Sequence, residues 1–86
     1  MKKILFFYAP WCPPCRFYEN QFISQLEKIL GKGTVQRVNV QEEPFKAEAY
    51  RVNKLPSVIL TENGTICGRY SGAVETEEIA GWFLGT

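Results

Sequence analysis

The sequence predicts an α/β fold: a four-stranded mixed sheet with helices on both faces, in the order β-α-β-α-β-β-α. Three observations carry that prediction. Lys2 to Tyr8 is a nearly continuous apolar run, too short for a helix and suited to a strand covered on both sides. Cys15, Tyr18, Phe22, Leu26 and Ile29 then recur at intervals of three and four, which is one face of a helix. Near the end, two β-favouring runs flank Glu62-Asn63-Gly64, a hairpin signal. Strand, helix and strand imply a right-handed parallel crossover, and the hairpin adds two antiparallel strands.

Each element has its own justification. Pro10 ends the first strand, and Pro13 and Pro14 suit the first turn of a helix, where a missing N–H removes only a donor without an intrahelical partner. Gly31 and Gly33 close that helix. Residues 34–40 alternate imperfectly through Val35, Arg37, Val38 and Val40 and read as a second strand. A short helix is expected from Pro44, with Phe45, Ala49 and Val52 turned inward. Residues 57–61 and 65–70 form the third and fourth strands. A last helix spans 76–84, with Ile79, Trp82 and Phe83 spaced i, i+3, i+4. Phe7, Tyr8, Phe17, Phe22, Tyr50 and Trp82 are expected in the core or at its edge.

The 86 residues are read as one domain, 1–86. A chain of this size buries a little over roughly 60% of the surface it exposes when unfolded. At 45% hydrophobic and 14% aromatic it can build a core without staples. Ten Lys and Arg against nine acidic residues leave a formal charge of +1, and no stretch collects the basic ones. That excludes the electrostatic footprint of a nucleic-acid binder or a partner of anionic membranes. Two lysines precede an apolar run at 4–9, but six residues fall short of the roughly 7–15 of a secretion signal, and Pro10-Trp11-Cys12 is no cleavage site. No segment approaches the ~18 apolar residues of a membrane span. A soluble, cytoplasmic monomer is expected.

The stretch FFYAPWCPPCRFYE carries the chemistry. Two thiols three residues apart at a helix start could be a structural bridge, half of a metal site, or a dithiol that cycles between oxidised and reduced states. A zinc site needs four N or S ligands, and this chain has no histidine and one further cysteine. A structural bridge closing so short a loop contributes little, because the chain-entropy gain grows with loop length. Redox cycling fits best. Cys12 and Cys15 can meet in a ring that is strained and therefore reducible. Cys12 falls at the N-cap, where free N–H groups and the helix dipole favour the thiolate, and such thiols ionise with pKa values of about 3.5–7.5. Cys12 is then the nucleophile, and the more shielded Cys15 resolves the mixed disulfide.

With WCPPC followed by a helix, LPS before a strand and SGA after the hairpin, the chain resembles the thioredoxin superfamily over essentially its whole length. It looks like a short version, without the extra N-terminal strand and helix, nearer to glutaredoxins in length. The resemblance implies a thioredoxin-like fold and assigns roles. Trp11 flanks the nucleophile Cys12; Pro13 and Pro14 lie between the thiols; Cys15 resolves. Pro56 matches the family's cis-proline facing the dithiol, Leu55 offers its backbone to an extended substrate strand, and Gly72 and Ala73 line the same groove.

Two departures from the family pattern matter. The buried carboxylate expected six residues before the nucleophile is replaced by Phe6, and no carboxylate occurs before Glu19. A slower resolving step follows, which Phe6→Asp would test; Glu19, one turn beyond Cys15, is read as a solvated surface residue. Pro13 removes an N–H from the thiolate's surroundings, so a potential nearer about −270 mV than about −120 mV is expected. Cys67, on the fourth strand, is read as a buried small hydrophobe, its rival reading being a regulatory thiol open to glutathionylation. The implied function is a protein-disulfide reductase with no bound cofactor, acting on disulfide-containing proteins. Its electrons would come from a thioredoxin-reductase-like flavoprotein using NADPH, or from glutathione. A glutaredoxin-like glutathione-dependent reductase is the alternative, weakened because SGAVE lacks a Gly-Gly-plus-Asp pattern. A protein-binding module of the same fold with secondary redox activity is another.

Overall fold

In the computed structural model, which describes residues 1–72 and 74–85, β1 (Lys2–Tyr8) is the spine of the sheet. It pairs in parallel with β2 (Val35–Asn39) on one side and antiparallel with β3 (Ser57–Glu62) on the other. The hairpin partner β4 (Thr65–Tyr70) lies outermost, giving the order β2-β1-β3-β4. Asn63 and Gly64 both take positive φ, 52° and 86°, as a two-residue hairpin turn requires.

Apolar residues on both faces of β1 explain its central place. Ile4 and Phe6 point into one core with Tyr18, Ile23, Leu26, Val58, Leu60 and Ile79. Leu5 and Phe7 point into the other with Val38 and Ile59, against Ala47, Tyr50 and Val52. The first core is covered by α1 (Pro13–Tyr18), α2 (Ser24–Leu30) and α4 (Thr76–Leu84), the second by α3 (Pro44–Ala49) and the chain after it.

Four expectations need correcting. The first helix is not regular: a π-helical turn, Glu19–Ile23, separates α1 from α2, with the Ser24 N–H bonded to the Glu19 carbonyl. Its longer hydrogen-bond ring brings Ile23 into the core and turns Leu30 rather than Ile29 toward it, so Ile29 is exposed while Phe22 stays half-buried at the core's edge. In α3, Phe45 is 84% exposed and Ala49 is exposed too, because the short helix packs through Ala47 and Tyr50 instead. Phe17, on the outer side of α1, is 63% exposed. Cys67 is exposed on the edge strand. The ladder passes from Leu60–Gly68 to Thr61–Ile66, so Cys67 is the extra residue of a bulge and loses the alternation that would have turned it inward.

Candidate active site

Cys12 and Cys15 sit where β1 hands over to α1. The chain leaves β1 through Ala9 and turns back at once, the Cys12 N–H bonding the Ala9 carbonyl at 3.2 Å. Cys12 is the N-cap of α1, with extended backbone angles. Its Sγ accepts a hydrogen bond from the Cys15 N–H at 3.2 Å. Pro13 and Pro14 occupy the two helical positions between them and bring no N–H, so the Cys15 amide is the donor the first turn supplies to this sulfur.

The two thiols are joined as a disulfide with Cα atoms 5.3 Å apart, inside the usual span of such bridges. Cys12 keeps 8% of its surface exposed and Cys15 3%, so an incoming disulfide meets Cys12 first. Trp11 stands beside it with 65% of its surface open. Pro13 and Pro14 are exposed as well.

The fold brings distant residues to this pair. Leu55 packs against the cluster of Ala9, Cys12 and Cys15, and the Leu55–Pro56 peptide is cis. Gly72 is exposed, and its carbonyl accepts a 2.6 Å hydrogen bond from the Tyr18 hydroxyl. Ala73, assigned to the same groove by resemblance, lies outside the described residues. Tyr8 and Val40 also pack on the cysteine cluster, and neither stood out in the sequence, where both read as ordinary strand residues. Tyr18 was legible as a core position, but its hydroxyl contact with Gly72 was not. The ring stacks on Phe6 at 6.0 Å between centroids, and burial pushes the phenol's pKa up to about 12.

Glu19 is not the freely solvated residue expected. It lines a pocket of about 240 Å³ with Tyr8, Pro10, Cys12, Cys15 and Arg16, and its carboxylate accepts a 3.1 Å bond from Arg37 Nε. Arg37 lies beside Phe6 across the β1–β2 ladder. Its two terminal nitrogens each donate to one Glu27 oxygen at 3.0 Å. This fork holds the Glu27 carboxyl below its ordinary 4.5 against the opposing effect of burial, and raises Arg37 in return. Where the resemblance leads one to expect an acid on β1, the strand offers an aromatic ring, and the acids on this face come from the helical segment above.

The comparisons agree with this arrangement. The family model described as Thioredoxin matches residues 1–84. Thioredoxin of Chlamydia pneumoniae is 32% identical over 71 residues, covering 83% of this chain and 69% of that protein. Thioredoxin Y1, chloroplastic, of Arabidopsis thaliana is 30% identical over 73 residues, 85% of this chain and 42% of that one. The chain spans less than half the length of the chloroplastic relatives it matches. Among solved structures, Fasciola hepatica thioredoxin superposes with a TM-score of 0.76 at 28% identity, covering 91% of this chain and 74% of that one. With the sheet order, the paired cysteines at the helix mouth and a family model running from residue 1 to 84, this chain belongs to the thioredoxin family.

Proposed function

We propose that the chain is a thiol–disulfide oxidoreductase that reduces disulfides of protein substrates through a Cys12–Cys15 cycle. The Cys12 thiolate attacks the substrate S–S bond, forming a mixed disulfide and releasing one substrate thiolate. Cys15, deprotonated, attacks the Cys12 sulfur, releasing the second substrate thiolate and closing the Cys12–Cys15 disulfide. Two electrons pass to the substrate, and a flavoprotein reductase using NADPH, or glutathione, returns them. Trp11, Leu55, Pro56 and Gly72 form the groove that receives the substrate strand. A compartment that keeps dithiols reduced suits this role, and we assign the chain to the cytoplasm.

One observation carries the reading: a disulfide at the helix entrance whose outer sulfur is the more accessible, next to an exposed tryptophan and against Leu55. Cys12→Ser is expected to abolish reduction of a protein disulfide, while Cys15→Ser accumulates the mixed disulfide, visible by mass spectrometry and cleared by dithiothreitol. Wild-type reduction rates in Cys12→Ser would end the proposal.

A further inference from the structure

Between residues 51–54 and the end of β4 lies a second pocket, about 110 Å³, whose walls include Arg51, Lys54 and Arg69 together with Asn53, Ser57 and Ser71. Three of the chain's ten basic residues meet there, and no carboxylate lines it. Their neutrality is not provided for. Among the described residues the ion pairs are Arg37 with Glu19 and Glu27, and Lys46 with Glu43; none involves these three cations. The cluster is also held together, since Arg69 Nη1 donates to the Arg51 carbonyl at 3.4 Å. The Ser57 hydroxyl, bonded to the Lys54 carbonyl at 2.5 Å, pins the same loop. Like charges gathered without counter-charge repel one another, and an entering anion relieves that repulsion.

We infer that this pocket is a recognition site for carboxylate side chains on protein substrates, placed beside the dithiol so that acidic sequence near a disulfide is preferred. The inference rests on the reductase reading of the Cys12–Cys15 site and adds the substrate class. Position supports it. Lys54 immediately precedes Leu55, which packs on the cysteine cluster; Ser57 follows Pro56, and Ser71 precedes Gly72. An extended peptide advances about 3.3 Å per residue, so the second to fourth residues from the attacked cysteine sample about 10 Å of the surface beside Leu55. The chemistry also suits a peptide better than a nucleic acid. Three cations in one small pocket, with no basic run in the sequence and Tyr70 as the one aromatic among the lining residues, do not track a phosphate backbone or stack successive bases.

Two disulfide-linked peptides that differ only in carrying Glu or Gln at the second to fourth residues from the cysteine test this. Second-order reduction rates at low salt are expected to favour the Glu peptide by about fivefold, the scale on which rim charges steer association. That ratio should fall toward one at about 1 M salt, where the Debye length is near 3 Å, and likewise in a Lys54→Gln, Arg69→Gln double variant. A ratio near one for the wild type, or one unchanged in the double variant, overturns the inference. Binding is read separately from chemistry by titrating a Cys12→Ser, Cys15→Ser variant with the same peptides made with serine for cysteine. The Glu peptide is expected to shift the backbone amide resonances of residues 51–54 and 69–71, and the Gln peptide to leave them in place. Absent shifts with the Glu peptide refute the pocket; failure of the wild type to reduce either peptide refutes the reductase reading instead.

Discussion

Pro13 and Pro14 decide how the reactive sulfur is held. An N-cap side chain ordinarily accepts from backbone N–H groups in the first helical turn, and here the Cys15 amide alone reaches Cys12 Sγ. Replacing Pro13 with glycine returns one donor and frees the loop, which stabilises the thiolate and hence the reduced form. The dithiol is then expected to become less reducing by about 30 mV, equivalent to a tenfold change in equilibrium constant; equilibration with a glutathione buffer measures it, and an unchanged potential contradicts the argument. The second residue-scale question is where the Cys15 proton goes. Phe6 is fully buried between the rings of Tyr8 and Tyr18, so Phe6→Asp would strand a carboxylate among aromatics and disturb stability along with chemistry. Glu19 is the carboxylate in the pocket that both cysteines line. Glu19→Gln is expected to slow decay of the mixed disulfide by roughly tenfold, below the usual worth of a positioned base, while its formation proceeds normally. Rapid mixing separates the two phases, and an unchanged decay would return the proton to water.

Among the elements, α1 links the chemistry to the groove. Tyr18 closes α1, stacks on Phe6 and ties the Gly72 carbonyl to the helix. Tyr18→Phe is expected to cost about 1 kcal/mol, the net worth of one hydrogen bond. It should also alter the alkaline limb of stability. The folded chain raises this phenol from 10.0 to about 12. Below pH 10 both folded and unfolded chains hold it neutral and its stabilising share is complete. Between pH 10 and 12 the unfolded chain ionises first, so stability drains away as pH rises. Urea unfolding at pH 9 and pH 11.5 should show a smaller loss in Tyr18→Phe than in the wild type; equal losses would refute the assignment. Strands were the most legible elements: β1 and β4 have the bounds read from a continuous apolar run and from the turn residues. The long helix was legible as a helix but not in its register. A π-helical turn leaves no composition signal, and the spacing of Cys15, Tyr18, Phe22, Leu26 and Ile29 satisfied a regular helix equally well.

For the molecule as a whole, the cysteine pair, Trp11 and Pro56 could be read from the sequence because each follows from a local motif. What stayed hidden were contacts between segments far apart in the chain: Tyr18 with Gly72, Arg37 with Glu19 and Glu27, and three cations from the 51–54 loop and β4 around one pocket. Such meetings depend on the β2-β1-β3-β4 order, and a one-dimensional pattern does not encode which outward-facing residues that order brings together. Cys67 failed for a related reason: its burial was expected from residue type alone, and a bulge on the edge strand decides which way it faces.

The Glu19–Ile23 turn carries an implication for how the chain tolerates shortening. It accommodates one residue more than a regular turn would, so removing solvent-facing Gln21 should let the stretch relax into ordinary α-helix with Cys15, Tyr18 and Leu26 still on the sheet side. Removing Lys28 has no such slack to consume, and each residue after it swings by about 100°. The first deletion is expected to remain cooperative on melting and to keep its dithiol reactive, whereas the second should lose both.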